Sequence, residues 1–121
     1  MAAHNELGRT GEDIAVARLL AEGYILRHRN WRCGRKELDI VAEKDGTLVV
    51  VEVKTRRNTQ FGLPEDAVTA GKIRRIVSST DAYLRKYRID LPVRFDVVTV
   101  VGNEETPCVN HIENAFYPPL F

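Results

Sequence analysis

The sequence predicts an α/β sandwich in which helices flank a mixed central β-sheet, folded as a single domain over residues 1–121. Three observations lead there. Two helical patterns interrupt one set of strand patterns in the order α-β-β-β-α-β-β, and helices so interspersed pack on a shared sheet. A length of 121 residues, 44% hydrophobic and 29% charged, suits one compact domain with enough apolar mass for a core. No internal repeat, low-complexity segment or linker rich in Pro, Gly or Ser divides the chain.

The first helix is predicted from Glu6 to Glu22. Ile14, Ala15, Val16, Ala17, Leu19, Leu20 and Ala21 cover most of its circumference, which predicts a largely buried helix, and Gly23 is placed to stop it. "YILRHRNWR" (24–32) reads as the first strand, followed by a turn at Gly34. "ELDIVAEKDGTLVVVEVKT" (37–55) holds two alternating apolar runs around Asp45-Gly46, a strong two-residue hairpin signal. Pro64 suits the first turn of a second helix. Thr69 can cap its main part, where Ile73, Ile76, Val77, Thr80, Tyr83, Leu84 and Tyr87 share one face while Arg74, Arg75 and Arg85 point elsewhere. "VRFDVVTVV" (93–101) is a β-branched strand, "GNEETP" a turn, and "CVNHIENAF" (108–116) a last strand.

Several classes fall away. No run of 18 apolar residues exists, and the N-terminus lacks the basic start and apolar run of a signal peptide, so a cytoplasmic protein without membrane contact is expected. Cys33 and Cys108 lie far apart, with no CxxC pair and no histidine at ligand spacing, which predicts free thiols and no zinc site. A net charge of +1 does not by itself imply an anionic partner. Basic residues nonetheless cluster in "RHRNWRCGRK", "KTRR", "KIRR" and "RKYR", and these matter if the fold makes them converge.

The hairpin carries acids in strand interiors, where they are disfavoured. Asp39 alternates onto one face with Val41 and Glu43, and Glu52 onto one face with Val50 and Lys54. A two-residue turn puts Lys44 opposite Thr47, and counting outward brings Asp39 opposite Glu52 and Glu37 opposite Lys54. Facing carboxylates with Cβ atoms about 4.5–5.5 Å apart repel, so a cation is needed. A shared proton with a raised pKa, the Lys54 ammonium or a divalent metal would each serve. The metal fits best, because two carboxylates completed by water and phosphate oxygens are the usual surroundings of Mg²⁺. The competing reading is a solvated sheet face; Val41 and Val50 between the acids argue that this face is covered. Glu12 shares a helical stripe with Ala15, Val16 and Leu19 and could reach the site, but Thr10-Gly11-Glu12-Asp13 equally resembles a capping box at a helix start.

Asp39 followed by Glu52-Val53-Lys54 resembles the D…ExK signature of the restriction-endonuclease-like PD-(D/E)XK nuclease superfamily. More closely, "GRTGEDIAVARLLAEGY", "ELDIVA", "VVVEVKTRR", "FGLPEDAV" and "RFDVVTV", in this order and spacing, resemble the YraN family of small bacterial proteins. The superfamily's proline before the first acid is replaced here by Leu38. The resemblance implies a restriction-endonuclease-like sandwich related to archaeal Holliday-junction resolvases. It implies a metal-dependent endonuclease that hydrolyses phosphodiester bonds in DNA, branched or structured DNA included; the sequence does not separate DNA from RNA as the partner. Glu12, Asp39, Glu52 and Lys54 would be the catalytic positions, with Asp39, Glu52 and Glu12 holding Mg²⁺ or Mn²⁺ and Glu37 an adjacent acid. Arg56, Arg57, Lys72, Arg74 and Arg75 would contact backbone phosphates. Trp31 is either a base-stacking residue or core. Resolvase-like folds are often homodimers, an arrangement that suits symmetric cutting. The alternative is a nucleic-acid-binding module of the same fold without cleavage.

Overall fold

The computed structural model of the chain describes residues 3–56, 69–102 and 105–118. Helix α1 (Ala3–Ala21) is followed by strands β1 (Ile25–Cys33), β2 (Lys36–Lys44) and β3 (Thr47–Arg56). Helix α2 (Ala70–Tyr87), β4 (Val93–Val101) and β5 (Cys108–Ile112) complete the predicted order. The strands form one mixed sheet in the order β1-β2-β3-β4-β5, antiparallel except for the β3–β4 pair. Arg57 and Pro64, with the predicted start of the second helix, lie outside the described residues.

Alternation along the strands gives the sheet two apolar faces, each covered by one helix. Ala15, Val16 and Leu19 of α1 pack on Ile40, Ala42, Val49, Val51, Val98 and Val100. Ile76 and Tyr83 of α2 pack on Val41, Val50 and Phe95 from the opposite side. The helix α2 follows its sequence pattern. The Thr69 hydroxyl accepts the Lys72 N–H at 3.2 Å, Ile76, Thr80 and Tyr83 are buried, and Arg74, Arg75 and Arg85 are exposed.

Three expectations are corrected. Helix α1 is not largely buried: Ala17, Leu20 and Ala21 face solvent, with Leu20 52% exposed, because a sheet covers one stripe of a helix and no described element packs outside it. It also begins upstream of Glu6, which leaves Glu12 well inside the helix and removes the capping-box reading. The last strand stops at Ile112 rather than Phe116. There Asn114 takes a positive φ and donates its N–H to the Asp96 carboxylate at 3.1 Å, and Phe116 turns back to stack on Phe95.

At the hairpin, Asp45 (φ 50°) and Gly46 (φ 76°) both take positive φ, as a type I′ turn requires. Its register runs as predicted from Lys44↔Thr47 through Glu43↔Leu48 and Val41↔Val50 to Ile40↔Val51, and the paired ladder ends there. β2 continues beside β1 as far as Cys33↔Lys36, and β3 beside β4 as far as Arg56↔Val101. The sheet therefore forks between β2 and β3 beyond Ile40 and Val51.

Helix α1 crosses this fork closely. A Cβ added at Gly11 would meet Thr55 Cγ2 at 2.1 Å, and Thr55 is β-branched and stiff. Helix propensity favours alanine over glycine by about 0.5–1 kcal/mol, but overpacking of this kind costs about 1–3 kcal/mol and should prevail. Gly11→Ala is thus expected to lower the midpoint of thermal unfolding, and adding Thr55→Ser, which removes the clashing methyl, should recover part of the loss. A Gly11→Ala protein more stable than the parent would contradict this packing.

Candidate active site

The fork opens into a cleft of about 810 Å³ whose walls include Glu12, Asp39, Glu52, Lys54 and Lys72. Asp39 and Glu52 do not form the paired rung expected from the turn; they lie one step beyond the last one. Asp39 Oδ2 instead accepts the Val53 N–H at 2.9 Å, so a carboxylate replaces a ladder partner just where the two strands part. The reason is electrostatic: directly opposed carboxylates would repel, whereas a carboxylate bonded to a backbone N–H has its charge partly satisfied. Glu37, the outermost acid of β2, also lines the cleft but is exposed and pairs with Arg32 at 3.7 Å.

The two acids are treated unequally. Glu52 is buried, and its Oε1 receives Lys54 Nζ at 3.5 Å and Lys72 Nζ at 3.1 Å, one ammonium from its own strand and one from α2. Among the described residues, Asp39 receives only the Val53 N–H. Burial, followed by the nearby charge of Glu52 and the weaker one of Glu12, pushes its pKa up to about 7 against the opposing pull of Val53 and Lys54. Burial also lowers the pKa of Lys54, helped by the neighbouring Lys72 ammonium and opposed by Glu52. For Lys72 burial acts downward too, but its bonds to Lys54 and Glu52 outweigh it and the pKa rises. Of the two amines sharing Glu52, Lys54 is the readier to lose its proton.

Glu12 reaches the cleft from α1, where Gly11 permits the close approach. Its Oε2 accepts from Asn30 Nδ2 at 3.1 Å and lies 3.9 Å from Arg29, which also pairs with Asp13. Asn30 sits inside β1 at φ 51°, a conformation that asparagine tolerates better than most residues. Neither Asn30 nor Arg29 was singled out by sequence reasoning. The positive φ that aims Asn30 has no signature in an alternating run; only its residue type, within a basic segment, hinted at it.

As for a metal, no group of three or more His, Cys, Asp or Glu side chains is gathered tightly enough to hold an ion among the described residues. The cleft does supply two carboxylates from separate strands, and Asp39 Oδ1 and Glu52 Oε2 make no described hydrogen bond. One or two carboxylates are what Mg²⁺ commonly takes from a protein. Two carboxylates, each with an oxygen that makes no described hydrogen bond, form a donor set that fits a hard divalent cation.

The expected phosphate contacts divide. Lys72 is in the cleft and Arg75 on its wall; Arg74 lies alongside, and Arg56 is exposed at the end of β3, where it donates to the Thr55 carbonyl. Trp31 is core. It is 5% exposed, gives its indole N–H to the Tyr87 hydroxyl at 3.1 Å and meets the Tyr83 ring edge-on. Cys33 and Cys108 are free and exposed, as expected. No described helix is long and apolar enough to cross a membrane.

Comparison with known proteins bears on lineage. The uncharacterised protein family UPF0102 matches residues 11–100, a span that holds Glu12, Asp39, Glu52, Lys54 and Lys72. A UPF0102 protein of Phocaeicola vulgatus is 63% identical over 121 residues, covering 100% of both chains, and one of Bacteroides thetaiotaomicron is 58% identical with the same coverage. A UPF0102 protein of Flavobacterium johnsoniae is 43% identical over 97% of this chain and 98% of its own. Matched across most of its length and aligned end to end with these relatives, the chain belongs to the uncharacterised protein family UPF0102.

Proposed function

We propose that this protein is a metal-dependent endonuclease that hydrolyses phosphodiester bonds in DNA, using the cleft between β2 and β3. The observation that carries the reading is the convergence, at one fork, of Asp39 and Glu52 from two strands with Lys54 and Lys72 beside them. The residue set matches the D…ExK pattern of the nuclease superfamily that the sequence resembles. A carboxylate pair repels a phosphate, so it suits a phosphate substrate only when a cation stands between them.

Asp39 and Glu52 would hold the cation, with Glu12 behind them, oriented by Asn30. When bound, a divalent ion supplies an acidified water and offsets charge on the scissile phosphate. The chain's own groups do the rest. Lys54, fixed against Glu52, with its pKa lowered by burial, orients the attacking water. Lys72, held as the cation, faces the phosphoryl oxygens as negative charge develops on them. Burial of Glu52 and Lys54 on the α2 side keeps these interactions partly screened from water.

A second reading has one observation in its favour: Glu52 is already neutralised by two lysines, an arrangement that a cleavage-incompetent nucleic-acid binder could retain. Incubation with Mg²⁺ or Mn²⁺ and a panel of duplex, single-stranded, flap and four-way-junction DNAs separates the two. The nuclease reading expects metal-dependent cuts, reduced by about 100-fold or more in Asp39→Ala and in Lys54→Ala, the scale seen when one electrostatic catalytic group is lost. Binding without cuts by the parent would leave the binder; equal cutting by the variants would remove these residues from any active site.

The electrostatics of Asp39 can be checked without turnover. Its pKa rises from an ordinary 3.8 to about 7 on folding, so the folded chain holds that proton more tightly than the unfolded one. The stability involved is fully present below about pH 4 and is lost as pH rises through about 7. In a chelator, Asp39→Asn should melt a few degrees above the parent at about pH 8 and level with it at about pH 4. Millimolar Mg²⁺ should raise the parent's melting temperature more at about pH 8 than at about pH 5, because the ion binds the ionised carboxylate. An Asp39→Asn protein that melts below the parent at the higher pH would overturn this account.

A further inference from the structure

Resting on the reading of the cleft as a phosphodiesterase site, we propose that a groove beside it is a backbone-phosphate track for duplex nucleic acid, formed by Arg35, Lys36, Arg74 and Arg75. The groove, of about 490 Å³, lies between the β1–β2 turn and the first turns of α2, and it shares Arg35, Arg75 and Ser79 with the cleft, so the two are continuous. Its four ionisable residues are all basic.

Two further observations set it apart from an ordinary solvated face. Arg18, Arg27, Arg29, Arg32, Arg85 and Arg94 each pair with a carboxylate, and Arg56 and Arg88, isolated at strand and helix ends, do not among the described residues. Arg35, Arg74 and Arg75 have no acidic partner among the described residues, and Lys36 is tied to the Ser78 hydroxyl at 2.6 Å, a bond that links the two walls of the groove. Second, the guanidinium groups of Arg74 and Arg75 converge. A Cβ added at Gly71 would meet Arg75 Nη1 at 3.7 Å and Arg74 Nη2 at 4.0 Å. Like charges gathered over a residue without a side chain, with no described carboxylate between them, leave room and a deficit that an anion fills.

The anion is a phosphate of a duplex. Binding of single strands relies on stacking bases against aromatic side chains, and no aromatic residue lines the groove among the described residues. The aromatic side chains nearby, Trp31, Tyr83 and Tyr87, are packed together and bonded to one another and to His28. What remains is charge, which reads backbone phosphates irrespective of sequence.

Fluorescence anisotropy in a chelator, with a labelled duplex of about 20 base pairs and a single strand of the same length across a salt series, isolates binding from cleavage. Arg74→Gln/Arg75→Gln should flatten the slope of log affinity against log salt by up to about 1.8, at about 0.9 for each phosphate no longer neutralised, and weaken duplex binding at least about tenfold near 0.1 M salt. Arg35→Gln should act in the same direction. Arg85→Gln, an exposed change on α2 outside the groove, should leave slope and affinity at parental values. Unchanged melting temperatures would establish that the variants fold. A double variant with the parental slope, or a single strand bound more tightly than the duplex, overturns the proposal. Duplex cleavage by a parent whose double variant binds undiminished removes the groove alone; groove-dependent binding by a parent that never cuts under Mg²⁺ removes the nuclease reading alone.

Discussion

The site depends on one bond, the 2.9 Å contact in which Asp39 accepts the N–H of Val53. In a continuous antiparallel pair the outward N–H groups of β3 would be met by β2 carbonyls. Here a side chain meets one of them, β2 stays with β1, β3 stays with β4, and the sheet opens without stranding a buried donor. The opening turns strand alternation into a cleft with charged walls. Asp39 stands on one side and Glu52 and Lys54 on the other, α1 closes over the gap because Gly11 allows it, and α2 sends in Lys72. A ladder zipped fully to its end would bring the carboxylates opposite one another and leave no volume for a substrate group.

Charge within the cleft is distributed so that the deficit falls on one atom group. Two ammonium groups converge on Glu52, while Asp39, equally close to the fork, has burial first and then the fields of Glu52 and Glu12 against it, with the Val53 N–H as its one donor among the described residues. The same asymmetry separates the amines: Lys54 is moved toward neutrality, and Lys72 is held as a cation by the carboxylate that they share. Pairs of titrating groups driven apart in this way are what acid–base chemistry near neutral pH requires, though structural ion pairs also perturb pKa values. The distinguishing feature is that these groups border open volume.

Much of this was legible in the sequence wherever local chemistry determined geometry. Asp45-Gly46 set the hairpin register to the residue, and the seven-residue stripe from Ile73 to Tyr87 located the packed face of α2. The acids and the lysine were found because strand interiors disfavour them. What could not be read depended on distant parts of the chain. The fork arises from competition between a backbone carbonyl and a side chain for Val53, which periodicity does not register. The start of α1 upstream of Glu6 lacks a cap signal, so Glu12 read equally as a residue reaching the site and as part of a capping box. Asp96, fully buried in β4, gave no sign of its role, because its partners His111 and Asn114 come from the returning β5 and the turn beyond it.

That last cluster too is buried, charged and built from acid, arginine and histidine. Arg94 donates to both Asp96 oxygens, at 2.9 and 2.8 Å, His111 Nε2 lies 2.7 Å from Oδ2, and Asn114 supplies a backbone N–H to Oδ1. Burial would raise the Asp96 pKa, but the bonds from His111 and Arg94 overcome it and the carboxyl is held below its ordinary value. Such a group is finished: its charge is met inside the protein, and it ties β4 to the C-terminal turn. The cleft at the fork is the opposite case. Asp39 is left above its ordinary value, one oxygen of each acid has no described donor, and Arg35, Arg74 and Arg75, unlike Arg29, lack a carboxylate among the described residues. Two polar clusters of similar composition thus differ in whether the fold completes them. The incomplete one opens to solvent, and on the reading proposed above a cation would complete the acids and a polyanion the groove.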